Sequence, residues 1–395
     1  MPSFMGTPLF RAASNPSLAL LIIITMTGTV ALHIFVPALS DAAADLQASP
    51  FAVQLTVTLY LCGLAGGQLV YGPLSDRFGR RPVLLFSLAL YFVGLVLAIP
   101  AGSITTLVMA RVLQSLGGCG SLVLGRSMVR DVSTAEDAAR KIAVLTIVMA
   151  LTPALAPALG GYINVLFGWR AIFGCLAAVV GVLCLVVLAT LPETNRRPIP
   201  LPGIGAVIAG YVRLLHSDKY RNYLIAGSCA GTSLYAFLAA APFLLVDRLG
   251  ERPRDVGLYC LIVVGGMVVG AVIARFAGGI DIRKVARRGN MLSFASALAL
   301  LAIDLSGHLN VVTLLAPLMI YAVGIGIAGP NAVAGLMNVD PRAAGFASSL
   351  YGFSQMAFGA VFTLAVALWH SASALPVAVT LLVASGVAML ALNRV

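Results

Sequence analysis

Arg111 stands inside an apolar run, from about residue 104 to 126, where a charge is least expected. A guanidinium keeps its proton at any physiological pH. Buried alone in an apolar medium it costs from about 3 to over 10 kcal/mol, so it must face a cavity or an acceptor. Gln114, three residues on, shares its helix face. His33 is the second residue of this kind, because imidazole titrates near about pH 6.5 and so gains and loses a proton in the working range. Thr25, Thr29 and His33 recur every four residues, and Pro37 and Asp41 continue that side as one polar stripe. Asp41 is the second candidate proton carrier. The chemistry these residues offer is proton binding and release beside a fixed positive charge.

Further polar stripes are Ser228, Thr232 and Tyr235, then Tyr351, Ser354 and Gln355, with Gln54 and Tyr60 between apolar neighbours. Hydroxyls and amides there either contact a ligand or bond one helix to another. No nucleophile triad, metal cluster or paired intramembrane carboxylate can be found, which argues against an enzyme and against a cofactor or metal. The six cysteines form no CxxC pair and read as small buried hydrophobes.

The elements that position these residues follow from composition. The chain has 395 residues, 60% of them hydrophobic and 10% charged, with mean hydropathy +1.01. A soluble domain carries about 25% charged residues, so a water-soluble enzyme is excluded. A bilayer-crossing helix takes about 20 apolar residues. Twelve spans are predicted, at about 18–40, 51–74, 82–100, 104–126, 141–165, 169–190, 221–246, 255–277, 289–306, 311–331, 343–368 and 373–392. The first apolar run reads as a retained helix rather than a cleaved leader.

The net charge of +11 comes from short loops between spans, not from a nucleic-acid-binding surface. With the N-terminus inside, 20 of 25 basic residues face the cytoplasm, Arg11, Arg196, Arg197 and Arg342 among them. Arg170, Arg248, Arg252 and Arg254 face out. Both termini are therefore expected in the cytoplasm. His308, His370, Trp169 and Trp369 fall at predicted outer boundaries.

A Pro-rich polar stretch at 191–220 divides the chain into six-helix bundles, 1–190 and 221–395. Repeated halves with a site between them are a common transporter plan. The basic loop Gly72–Arg81 is faintly echoed at 275–284.

Two motifs carry a resemblance. The loop Gly72-Pro-Leu-Ser-Asp76-Arg77-Phe-Gly79-Arg80-Arg81 resembles the signature loop of the major facilitator superfamily. The resemblance implies that Asp76 and Arg77 join Arg130 and Asp131 in a network that latches the outward-facing state. Pro153-Ala-Leu-Ala-Pro157-Ala-Leu-Gly160-Gly161 resembles the antiporter motif of exporters, with Ala156 where the motif has glycine. Such a stretch bends a helix and admits a close neighbour. Arg111 matches the exporters' proton-coupling arginine.

Local matches at His33–Leu39, Arg126–Asp131, Pro330–Ala334 and Ala344–Phe353 narrow the resemblance to the bicyclomycin/chloramphenicol-resistance (Bcr/CflA) drug-efflux family. That family carries an acid where this chain has His33, and no other acid lies in the middle of a span. A site with Arg111 and His33 but no carboxylate disfavours lipophilic cations. The resemblance implies an all-α major-facilitator protein in the bacterial inner membrane, monomeric, exchanging protons for drug-like molecules by alternating access, and the carboxylate-free site narrows the expected cargo to neutral or anionic, amphenicol-like molecules. A metabolite exporter or a proton-independent facilitator is the alternative.

Overall fold

The computed structural model describes residues 16–195, 204–276, 281–340, 343–369 and 373–395. Arg11, Arg196, Arg197, Arg342, His370 and parts of the linker and of the 275–284 echo lie outside the described residues. All regular elements among those described are helical. Eleven helices are long and apolar enough to cross a membrane, and Glu136–Pro153 with Leu155–Phe167, bent by 42°, makes the twelfth.

In chain order the spans are Leu18–Asp45, Pro50–Phe78, Arg80–Ala98, Ile104–Asp131, Ala135–Phe167, Trp169–Thr190, Asp218–Arg248, Pro253–Phe276, Ile282–Leu305, Val311–Met337, Ala344–Leu368 and Leu375–Asn393. They are numbered 1 to 12 below. A shorter linker helix, Ile204–Leu215, precedes span 7. Several spans start where a short polar side chain accepts the bond of a free amide: Ser17 from Leu20, Ser49 from Ala52, Ser103 from Thr106 and Asn310 from Thr313.

Buried side chains form two cores. One gathers spans 1 to 6 and the other spans 7 to 12, while Ala239, Met356 and Ala360 of the second half pack into the first core. Spans 2 and 11 run against each other, as do spans 5 and 8, and these two pairs join the halves.

Spans 1 and 7 are both interrupted. Span 1 is helical over Leu18–Ile34, tightens over Val36–Ala38 and resumes at Leu39–Asp45. Pro37 lacks the N–H that would bond to the His33 carbonyl, so the helix breaks there. Span 7 stops at Thr232, resumes over Tyr235–Pro242 and widens over Phe243–Arg248. Gly231, Thr232 and Ser233 are weak helix formers, and Thr232 Oγ1 bonds back to the Ser228 carbonyl at 2.9 Å. The sequence pattern predicts span 7 as one uninterrupted run; the break is a finding of the structure.

Trp169, at the start of span 6, is 4% exposed, packed on Phe35 and Phe173, with its indole donating to Asp45 at 3.2 Å. The reading of all six cysteines as buried changes. Cys62 and Cys175 are exposed on the helix surface, whereas Cys119, Cys229 and Cys260 are buried.

Candidate functional site

Arg111 is fully buried within the first six helices. Its Nη1 donates to the Ala31 carbonyl and to Gln114 Oε1, both at 3.0 Å. Gln114 passes the chain on, donating to the Gly94 carbonyl at 3.0 Å. Nε and Nη2 have no hydrogen-bond acceptor. The guanidinium instead lies over the ring of Tyr60, 4.2 Å from its centroid, with Phe35 at 5.5 Å. Aromatic faces carry negative potential, so two rings offset part of the buried charge without a carboxylate. Tyr60 is itself fixed, donating to the Gly28 carbonyl at 2.7 Å.

His33 is 2% exposed and interacts electrostatically with Arg111. Its ring meets Tyr235 edge-on, with centroids 5.3 Å apart. His33 ends the first helical piece of span 1, and Tyr235 begins the second piece of span 7. The two broken helices, first in each half, therefore touch at their breaks. Discontinuous helices in matching positions of two halves are a hallmark of transporter binding sites, because the interrupted backbone leaves polar groups for a ligand.

From Tyr235 a polar track runs along span 11. Gln355 Nε2 donates to the Tyr351 hydroxyl at 3.2 Å, close beside Gly231 at the span 7 break. Tyr351 is the electrostatic neighbour of Arg126 on span 4. Ser228 Oγ is buried without a hydrogen-bond partner, one turn before Thr232.

The other stripe members go elsewhere. Thr25 Oγ1 bonds back to the Leu21 carbonyl at 2.6 Å and faces Gly125 of span 4. Thr29 bonds to the Met26 carbonyl at 3.0 Å. Asp41 is exposed near the end of span 1 and accepts from Asn164 of span 5. Gln54 is buried, its Oε1 without a partner, in the wall of a 590 Å³ cavity that Phe51, Phe243, Asp247 and Trp369 also line. This cavity opens at the end opposite the linker.

At the linker end the charge network runs through Arg80 rather than Arg77. Arg80 pairs with Asp76 at 2.6 Å and with Asp131 at 2.8 Å, and bonds to Ser75 Oγ at 2.6 Å. Arg77 instead lies over the Phe78 ring at 5.1 Å, and Arg130 donates to Ser127 at 3.3 Å. Arg81 donates to the Leu188 carbonyl at 2.7 Å. Gly79 has φ +92°, and a Cβ there would stand 2.6 Å from Glu193 Oε2. Glu193 reads as ordinary linker in the sequence, yet it accepts from the amides of Arg80 and Arg81 at 2.8 and 3.1 Å. Those free amides and the positive end of span 3 are what an acid satisfies. A negative residue just after span 6 is the signal that marks it. A second cavity, of 220 Å³, lies here between Gly72, spans 4 and 11 and the linker helix.

In span 5, Gly160 sits against the Ile34 carbonyl, where any side chain would collide, and Gly161 lies near Pro37. A Cβ on Gly257 of span 8 would reach 2.6 Å from the Pro157 carbonyl oxygen. Pro153 is half-buried, one residue before the join of the two bent segments. Among the described residues no group of three His, Cys, Asp or Glu could hold a metal ion.

A family model described as Major Facilitator Superfamily matches residues 18–364. The chain is 28% identical over 371 residues to a bicyclomycin resistance protein homolog of Haemophilus influenzae, covering 91% of this chain and 90% of that one. It is 28% identical over 365 residues to a chloramphenicol resistance protein of Pseudomonas aeruginosa, with 90% and 84% covered. In fold it resembles the xylose transporter from E. coli in a partially occluded inward-open conformation, with TM-score 0.72 over 95% of both chains at 12% identity.

Proposed function

The chain belongs to the major facilitator superfamily, a transport protein rather than an enzyme, and on that premise we propose that it exports drug-like small molecules across the bacterial inner membrane. The observation that carries this reading is the contact of the two broken helices at His33 and Tyr235. The relatives' resistance names support export as the direction of transport and drugs as the cargo. The linker end, where the basic loops gather, is the cytoplasmic end by the positive-inside rule, and a single chain suffices. The two halves, 1–190 and 221–395, rock about the contact.

His33 takes up a proton from outside and releases it inside, and Arg111 sets the balance by its fixed charge close by. Substrate and proton are taken up at the same break, so they exclude each other. With two basic groups and no carboxylate at the break, neutral or anionic molecules fit better than lipophilic cations, and an amphenicol is the first to try.

The test is chloramphenicol accumulation in efflux-deficient cells expressing the chain, with and without a protonophore. Lowered accumulation, abolished by the protonophore and by His33→Ala or Arg111→Ala, is expected. Export that survives His33→Ala but not Arg111→Ala moves the proton to another group, Asp41 first. A second reading is a proton-independent facilitator or metabolite exporter, which the lack of a mid-span acid favours. Substrate movement indifferent to the protonophore selects it.

A further inference from the structure

The cavity at the linker end contains a charge that the mechanism above leaves unused. Arg126 lines it and is wedged between spans 4, 5 and 11. Its one recorded hydrogen bond among the described residues is from Nη2 to the sulfur of Met149, at 3.3 Å. A thioether is a weak acceptor, and a guanidinium presents a planar fork that matches a carboxylate. The acids around the cavity are already paired. Asp76 and Asp131 are both taken by Arg80, at 2.6 and 2.8 Å. Arg130 reaches only Ser127, at 3.3 Å. Among the described residues no acid therefore neutralises Arg126, and positive charge is in excess around the cavity.

The remaining wall is aromatic and hydroxylic. Tyr211 of the linker helix meets Phe346 of span 11 edge-on at 5.4 Å, with Ser348 and Ser349 beside them. Pockets for drug-sized ligands have volumes of about 300–1,000 Å³, so 220 Å³ admits a single ring with its acidic group rather than a whole drug. Beyond Arg126 the track continues through Tyr351 and Gln355 to the break in span 7.

We propose that this cavity is a loading site for an aromatic carboxylate, with Arg126 binding the acid and Tyr211 and Phe346 packing on the ring. The inference rests on the export reading for its direction, since the site must face the cytoplasm to load cargo. It names the anionic side of the substrate class, and it assigns the choice to a residue well away from His33 and Arg111.

The test is equilibrium binding of benzoate and benzamide to the purified full chain in detergent, beside export from vesicles. Benzoate should bind the wild type at least tenfold more tightly than benzamide. Arg126→Gln should remove that preference, with benzamide unchanged, and Arg126→Lys should keep part of it. If Arg126→Gln does not fold, maleimide labelling of Ser349→Cys gives the same answer with Arg126 intact, because benzoate but not benzamide should protect it. Equal binding of acid and amide, or benzoate affinity unchanged in Arg126→Gln, overturns the proposal. Displacement of benzoate by an equal concentration of inorganic phosphate also overturns it, in favour of a phosphate or lipid headgroup. Vesicles that export nothing while benzoate still binds through Arg126 would count against the export reading alone.

Discussion

At the scale of single residues, Arg111 and Tyr60 form the clearest unit. A fully buried guanidinium with two nitrogens unbonded rests on an aromatic face at 4.2 Å. Tyr60→Phe keeps the face and loses one hydrogen bond to the Gly28 carbonyl, a change of about 1 kcal/mol. Tyr60→Leu removes the face as well. The expected result is near-wild-type initial export from vesicles for Tyr60→Phe and background export for Tyr60→Leu. Equal rates for the two would remove the ring from the account. Arg111 was legible in the sequence because a charge in an apolar run has few innocent explanations. Its cage was not, because Phe35 looks like an ordinary apolar position, and Tyr60, legible as a candidate, comes from another helix with nothing in the sequence to pair its ring with Arg111. Glu193 was missed for the same reason: its partners, the Arg80 and Arg81 amides, lie more than a hundred residues away. Gly79 has φ +92°, a backbone that residues with a side chain rarely adopt. Gly79→Ala strains that backbone and crowds Glu193, and should lower the midpoint of thermal unfolding by an amount equivalent to about 1–3 kcal/mol.

Among the elements, spans 5 and 8 carry the approach of the two halves. Gly257 lies so close to Pro157 that no larger residue fits without moving a backbone. Gly257→Leu should leave the protein in the membrane but reduce export at least tenfold, measured against its expression level. Undiminished export would mean that the two spans separate without cost. The proline and glycine motif of span 5 made this crossing legible, since such residues have few other uses in a helix. The break in span 7 was harder to see. Thr232 and Ser233 are common in membrane helices, and only the contacts of Tyr235 with His33 of span 1 and of Thr232 with Gly359 of span 11 distinguish the interruption from routine hydroxyl bonding. Its counterpart in span 1 has Pro37, a stronger signal.

For the whole molecule, the two halves meet along spans 2 and 11. Thr58 and Thr363 bond across that seam with their oxygens 2.9 Å apart, toward the end opposite the linker. Alternating access requires this contact to open. A disulfide spans Cα separations of about 4.4–6.8 Å, so Thr58→Cys with Thr363→Cys should crosslink, in a background whose six native cysteines are replaced. Oxidation is expected to stop export and reduction to restore it. An oxidised, crosslinked protein that exports at the full rate would show that the seam does not part. The sequence by itself determined the twelve spans, the all-helical class and the presence of Arg111 and His33 as buried ionisable groups. Hydropathy and the cost of burying charge act locally, and both can be read along the chain. Only the tertiary structure decided which groups meet: His33 with Tyr235, Arg80 with both acids, Arg126 with no acid among the described residues. Those pairings join residues tens to hundreds of positions apart, and helical periodicity fixes a residue's face without fixing the face it meets.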